Sequence, residues 1–217
     1  MRAVLLAAAV LTAGCGGRTE WDRQVAAVRA SGSDAVVLTS GRVTPDDLAD
    51  LRTGCGGLRR LSFARVGRGP AVCDGEDFTA NLSAALDRLP NLERLDFDGP
   101  LTLRELAGAS PVTALNLPRA DPDAAGLAAL AAAFPKLRSL RVRGLRFDAG
   151  TPRLPAGVRH LHLLACPLTD AGVPALASLC GRLGSLYLDG SRLTPAGTAA
   201  LADALPGVHL HLDGGHR

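Results

Sequence analysis

Aromatic residues are scarce in this 217-residue chain, which holds one Trp, one Tyr and five Phe, or 3% of its residues. Proteins that bind single-stranded nucleic acid stack bases on aromatic rings, so this scarcity argues against that class of protein. The formal net charge of +3 is also too small to indicate a nucleic-acid partner. We therefore expect no nucleic-acid binding, and a hydrophobic core built from Leu, Val and Ala.

Sequence signatures of catalysis are missing as well. The chain has no G-x-S-x-G, H-E-x-x-H, P-loop or C-x-x-C motif. Ser, His and Asp residues are present, but no spacing among them singles out a catalytic triad. We expect neither enzyme activity nor a cofactor.

No apolar run approaches the roughly 20 residues that a membrane-spanning helix needs. Residues 3–13 form an 11-residue run behind a basic start, which is typical of a signal peptide. The following LTAGC, ending at Cys15, resembles the lipobox of bacterial lipoproteins, with Thr12 at a position that is usually aliphatic. The resemblance implies removal of residues 1–14 and lipidation of Cys15. Ordinary signal cleavage, for example after Ala13, is the alternative.

This leader sets the expected location of the protein. We expect export to the cell envelope, with a membrane contact through the N-terminal lipid. Gly16 follows the lipidated cysteine, which by resemblance to the sorting of envelope lipoproteins favours the outer membrane or the periplasm.

An internal repeat organises the remainder of the chain. Leu161, Leu168 and Leu176 each recur 25 residues later as another leucine. An apolar-x-apolar pair recurs eight times, with spacings of 25, 34, 20, 25, 21, 25 and 24 residues. Alternation of this kind predicts a short strand with one buried face. The pairs are Val36/Leu38, Leu61/Phe63, Leu95/Phe97, Leu115/Leu117, Leu140/Val142, Leu161/Leu163, Leu186/Leu188 and Leu210/Leu212.

Most strands are followed by a turn and a helical pattern. Thr44-Pro45 and Thr194-Pro195 predict helix starts, since Thr suits the N-cap and Pro the first helical position. The 20- and 21-residue spacings leave little room for a helix and predict irregular connections. We expect Pro174 to disturb the helix of its repeat.

The phrase L-x-x-L-x-L, followed by a loop, LTDAGV and a helix, resembles leucine-rich repeats, above all the ribonuclease-inhibitor-like subclass. The resemblance covers residues 33–214. It implies an α/β solenoid, or horseshoe, with a parallel concave β-sheet and helices or irregular turns on the convex side. We divide the chain into a signal peptide (1–14), a tether and N-terminal capping helix (15–32) and a leucine-rich-repeat domain of about eight strand units (33–217). Trp21, Val25 and Val28 lie at the spacing of an amphipathic capping helix.

The residue between the two apolar residues of each strand should face the concave side. Polar and aromatic residues gather there in the C-terminal half of the solenoid. We expect a monomer that binds an unknown protein or acidic polymer, without catalysis, through this face. The predicted contacts are Arg141, Arg143, His160, His162, Tyr187, Asp189, His209 and His211.

The two His-x-His pairs also raise the question of a metal site. His160 and His162 would lie about 7 Å apart on one strand. His209 and His211 would lie two strands away, about 9.6 Å at sheet spacing. Four imidazoles are therefore too far apart to share a zinc ion, which needs nitrogens at about 2.1 Å. We expect no metal site, with His160 and His162 as the candidates if one exists.

Two other functions stay open. One is a structural protein of the envelope without a specific ligand. The other is a binder that responds to a metal or an anion through the His- and Arg-rich half, because seven basic residues lie within 24 residues there. They are Lys136, Arg138, Arg141, Arg143, Arg146, Arg153 and Arg159. A solvated basic surface is the simpler interpretation of this cluster.

Four cysteines remain beyond Cys15. Cys55 and Cys180 occupy equivalent repeat positions five periods apart, too distant to bond. Cys73 lies in the stretch that lengthens the second repeat. A Cys55–Cys73 disulfide and buried free thiols are the alternatives in an exported protein.

Overall fold

The computed structural model describes residues 20–38, 42–63, 72–73, 78–99, 101–120, 122–145, 154–212 and 215–216. The predicted signal peptide and the lipidation of Cys15 lie outside these residues. No helix among the described residues has the length and apolar character needed to cross a membrane.

The repeat folds into short strands that line up in one sheet. In chain order the strands are β1 (Ala35–Val37), β2 (Arg42–Val43), β3 (Arg60–Phe63), β4 (Val72–Cys73), β5 (Arg94–Phe97), β6 (Ala114–Leu117), β7 (Ser139–Arg143), β8 (His160–Leu164), β9 (Ser185–Leu188), β10 (His209–Leu212) and β11 (Gly215–His216). The main sheet has the order β1-β3-β5-β6-β7-β8-β9-β10-β11. Its first eight strands are parallel and are the eight predicted strands. This is an open α/β sheet of the kind that a repeat solenoid forms.

Two pairings were not predicted. β11 adds to β10 in antiparallel orientation and so ends the main sheet. β2 and β4 form a separate two-stranded parallel sheet. The three strands β2, β4 and β11 are only two residues long, too short for a recognisable alternation of apolar residues.

Helices connect most of the neighbouring parallel strands, and one further helix precedes the first strand. They are α1 (Glu20–Ser31), α2 (Pro45–Asp50), α3 (Phe78–Leu86), α4 (Ala124–Ala133), α5 (Val173–Cys180) and α6 (Pro195–Ala204). Thr44 and Thr194 are N-caps, as predicted, each accepting a hydrogen bond from a backbone N–H of the first turn. Between β5 and β6 there is a single 3-10 turn, Leu103–Glu105, so the short spacing does exclude an α-helix there.

The expected disturbance at Pro174 is wrong. α5 begins at Val173 after a 3-10 turn, Asp170–Gly172, so Pro174 falls in the first turn of the α-helix. A proline there breaks no helical hydrogen bond, because the first N–H groups of a helix have no partner within it.

The core lies between the sheet and the helices. All sixteen residues of the eight apolar pairs are buried except Leu212, which is partly buried. The expectation of a core without aromatics is wrong at the N-terminal end. There, Phe63 packs against Trp21 and Phe97 with ring centroids 6.1 and 5.8 Å apart, and Phe78 packs against Phe97 at 5.4 Å.

The N-terminal helix covers the first edge of the sheet. Trp21, Val25 and Val28 of α1 are buried, as the spacing predicted. Gln24 pairs with the β1 backbone: its Oε1 accepts from the Val37 N–H at 2.6 Å and its Nε2 donates to the Val37 carbonyl at 2.7 Å. The side chain thus satisfies backbone groups that an edge strand would otherwise leave open.

Candidate functional site

The strand register builds one continuous row of side chains across the sheet face opposite the core, which we call the open face. Each residue of the row pairs with the next across neighbouring parallel strands, as the repeat predicted. In sheet order the row is Val37, Ser62, Asp96, Asn116, Arg141, His162, Tyr187 and His211.

Aromatic and imidazole rings pack together at the C-terminal end of the open face. Tyr187 lies between His162, at a centroid distance of 5.3 Å, and His211, at 3.9 Å with ring planes only 6° apart. His209 meets His211 edge to face at 4.4 Å. Tyr187 is 36% exposed and is the one large hydrophobic side chain that is exposed in the described part of the chain. An exposed tyrosine of this kind is typical of a protein interface.

The two β8 histidines have hydrogen-bond partners within the protein. His162 donates through Nε2 to Oδ2 of Asp189 at 2.6 Å. His160 shares a hydrogen bond of 2.8 Å between its Nδ1 and the Ser185 hydroxyl. The described residues contain no group of three or more side chains placed to hold a metal ion. The two hydrogen bonds hold the imidazoles against Ser185 and Asp189 of the next repeat.

A pocket of about 180 Å³ opens at the middle of the open face. Four of the predicted contact residues line it: Arg141, His160, His162 and Tyr187. His211 lies on the far side of Tyr187, Asp189 is bonded to His162, and Arg143 is exposed at the end of β7. The structure thus places four of the eight predicted contacts in the pocket lining. Asp189 and His211 lie outside the lining but contact lining residues, and Arg143 and His209 also lie outside it.

Arg141 is the charged group at the centre of this pocket. Its Nε is buried and has no hydrogen-bond partner, and the described residues provide no ion pair for its guanidinium. A buried donor without a partner costs on the order of 1–3 kcal/mol. Arg141 is therefore a charged residue of the pocket lining without a partner among the described residues.

Asn116, the neighbour of Arg141 on β6, holds an unused acceptor in the same pocket. Its Nδ2 donates to Oδ1 of Asp96 at 3.2 Å, which fixes the amide orientation. Its Oδ1 is buried and has no hydrogen-bond partner within the described residues. Two residues of the pocket lining thus each hold a buried polar atom, one donor and one acceptor, without a partner among the described residues.

Asp96 explains why the other arginine of the pocket is not available. The Asp96 carboxylate is buried, with 1% of the residue exposed, and Arg94 binds both of its oxygens at 2.8 Å. Arg60 approaches it at 3.5 Å. The hydrogen bonds to Asp96 raise the pKa of Arg94. Asp96 thus pairs with Arg94, the other arginine of the pocket lining, whereas the described residues provide no ion pair for Arg141.

Sequence reasoning missed Asn116, Ser139 and Arg94 as lining residues. All three occupy the same positions within the repeat as predicted contacts do, so the strand register indicated that they lie on the open face. The hydrogen bonds of Arg94 and Asn116 to Asp96 depend on how neighbouring side chains pack, which the repeat pattern does not encode.

Cys55, Cys166 and Cys180 are buried free thiols. Burial raises the pKa of Cys166 to about 11 and that of Cys180 to about 12. Cys166 points inward, as expected, and its Sγ donates to the Leu145 carbonyl at 3.4 Å. Cys55 is a free thiol here and the side chain of Cys73 lies outside the described residues, so the structure does not show the Cys55–Cys73 disulfide, which stays a prediction.

Comparison with solved structures gives distant structural likenesses. No family model matches the chain, and no curated protein matches it significantly. A crystal structure of a Bacteroides fragilis protein from a structural genomics consortium shares 16% sequence identity with the chain, with a TM-score of 0.47. The match covers 80% of this chain and spans 65% of that protein. A likeness of this degree carries no argument about function.

Proposed function

We propose that the chain is an exported, lipid-anchored leucine-rich-repeat protein of the ribonuclease-inhibitor-like type, and that its concave sheet face binds another protein without catalysis. One observation carries this proposal. Arg141, whose Nε has no hydrogen-bond partner among the described residues, and the exposed ring of Tyr187 lie on the same face of the sheet. Arginine and tyrosine are enriched at the energetic centres of protein interfaces.

The structure of the face supports recognition by a preformed surface. Tyr187 is held between two imidazoles, and His162 is held by Asp189. Side chains that are already ordered lose little conformational entropy when a partner binds. The lipid anchor, carried over from the lipobox resemblance at Cys15, would keep this face close to a membrane.

Site-specific crosslinking in the native cell tests the proposal. A photoreactive amino acid replaces Tyr187 on the open face, and in a matched variant it replaces Ala199, which is exposed on α6. The proposal predicts a discrete protein adduct from position 187 and not from position 199. Adducts from both positions alike, or from neither, would instead favour a structural envelope protein without a specific ligand.

A further inference from the structure

We propose that the Arg141 pocket is a carboxylate-binding site, and that its ligand is a carboxylate of a polypeptide partner flanked by a peptide N–H. This inference rests on the proposed function, because it names the chemical group that the partner inserts. The argument starts from the two buried polar atoms in the pocket that have no partner among the described residues.

Arg141 defines the charge of the ligand. A guanidinium only donates hydrogen bonds, and its planar edge matches the two oxygens of a carboxylate. The unpaired atom is Nε, which is buried, so a carboxylate that accepts from Nε–H and from the neighbouring Nη–H would supply the partner that the described residues do not. Such charge-assisted pairs are among the stronger hydrogen bonds in proteins.

Asn116 defines the second feature of the ligand. Its Nδ2 is used by Asp96, so its free Oδ1 can only accept. Neighbouring strands lie about 4.8 Å apart, so a group bound to Arg141 has its adjoining atoms within reach of Asn116. The complementary ligand therefore carries an N–H next to its carboxylate, which a peptide chain end and an acidic residue within a chain both do.

Pocket size and the surrounding groups favour a chain end or a side chain over a larger molecule. The volume of about 180 Å³ is below the roughly 300–1,000 Å³ of pockets that hold drug-sized ligands. Tyr187 and the β8 imidazoles form one wall and offer ring surfaces to apolar atoms beside the carboxylate. Arg94 lies opposite, with its charge already used by Asp96.

Side-chain NMR of the full folded protein tests the site directly. The Nε–Hε resonance of Arg141 is identified by its disappearance in Arg141→Lys and is followed during titration with small probes. N-acetylglycine represents a chain end, and the α-amide of N-acetylglutamate represents an internal acidic residue. N-acetylglycinamide lacks the carboxylate, acetate lacks the N–H, and inorganic phosphate is a different oxyanion.

We expect saturable shifts of the Arg141 resonance with at least one of the two carboxylate probes and none with N-acetylglycinamide. The stronger of the two identifies a chain end or an acidic side chain as the source. Arg141→Gln should weaken binding about tenfold or more, since each 1.4 kcal/mol changes affinity tenfold. Arg182→Gln, which removes an exposed charge outside the pocket, should leave binding unchanged. Asn116→Ala should abolish the preference for N-acetylglycine over acetate.

Three results would overturn the inference: no response to either carboxylate probe, equal binding by Arg141→Gln in a spectrum that shows it folded, or a response to phosphate alone. These results are separate from a failure of the proposed function. Probe binding at Arg141 without any crosslink from position 187 keeps the carboxylate site and rejects the protein-binding proposal. A crosslinked partner without probe binding keeps the protein-binding proposal and rejects the carboxylate site.

Discussion

Tyr187 and His211 stack face to face across two neighbouring strands, with ring centroids 3.9 Å apart and ring planes 6° from parallel. His162 contacts the opposite side of Tyr187 at 5.3 Å. The two contacts limit the rotamers of a ring that stays 36% exposed. The tyrosine is therefore ordered before any partner arrives, and its exposed part is available for contact.

Tyr187→Ala should lower the free energy of unfolding only slightly. An aromatic pair is worth about 0.5–1.5 kcal/mol, and the ring lies outside the buried core. Tyr187→Phe keeps the stack and should match the wild type. Urea unfolding measures both variants. A loss above about 4 kcal/mol, which belongs to disrupted cores, would mean that Tyr187 is a structural residue and not a recognition residue.

Gln24→Ala should destabilise the N-terminal end of the sheet by about 1–3 kcal/mol, because it leaves the N–H and the carbonyl of Val37 without their side-chain partner. Gln24→Glu can still accept from the N–H but cannot donate to the carbonyl, so its loss should be intermediate. Arg23→Ala, at an exposed neighbouring position, is the control. Equal stability of Gln24→Ala and Arg23→Ala in denaturant unfolding would contradict the capping role of Gln24.

The turn after the strand can be tested by two opposite substitutions, alanine to glycine in one repeat and glycine to alanine in another. Gly144, Ala165 and Gly190 occupy equivalent repeat positions and all have positive φ, at 70°, 45° and 75°. A left-handed conformation costs a non-glycine residue roughly 1–2 kcal/mol. Ala165→Gly removes that cost but gains about 0.4–1 kcal/mol of unfolded-state entropy, so it should stabilise slightly.

Gly190→Ala should destabilise by the same left-handed strain, about 1–2 kcal/mol, and its Cβ would in addition meet the Ala165 Cα at 3.3 Å. Thermal unfolding of the two variants should therefore shift in opposite directions. A shift in the same direction for both would show that the turn is not built as described.

Asp170 should make stability depend on pH. Its carboxylate accepts from the N–H and the hydroxyl of Thr194 in the next repeat, at 2.9 and 2.6 Å. These hydrogen bonds lower the pKa of Asp170 from its ordinary value of 3.8. The charged form is thus favoured in the folded state, so its stabilising effect is present above pH 3.8 and is lost as the pH falls through the lowered pKa.

The matched variants for this test are Asp170→Asn and Asp203→Asn, the latter at an exposed position of α6. Urea unfolding across the acidic range should show Asp170→Asn less stable than the wild type near neutral pH. The difference in the free energy of unfolding should shrink as the Asp170 carboxylate of the wild type becomes protonated. Asp203→Asn should show no such trend. A difference for Asp170→Asn that stays constant down to the lowest pH would refute the linkage.

Much of this architecture could be predicted from spacing alone. The apolar pair of each repeat fixes which residues face the core, and alternation then fixes the row from Asn116 to His211 on the other face. Short spacing correctly excluded a helix between β5 and β6. The N-terminal helix followed from three apolar residues on one face.

The pocket could not be predicted in the same way. A repeat assigns Asp96 and Arg141 the same kind of position, yet Asp96 is buried by Arg94 while Arg141 keeps an unpaired Nε. Whether such a residue is paired depends on which neighbouring side chain extends across the strands to contact it. This is a matter of side-chain packing, which the spacing of the repeat does not determine. The aromatic cluster around Phe63 was missed for a similar reason, because its rings come from four separate elements, α1, β3, α3 and β5.

The most direct test of recognition by the open face is the affinity of the purified crosslinked partner for the double variant Arg141→Gln/Tyr187→Ala, with Arg182→Gln as the control. Residues at the centre of an interface each cost about 2 kcal/mol or more when truncated. Isothermal titration calorimetry should therefore show binding weakened at least about a hundredfold in the double variant, and unchanged binding in the control. Wild-type affinity of a folded double variant would contradict the account.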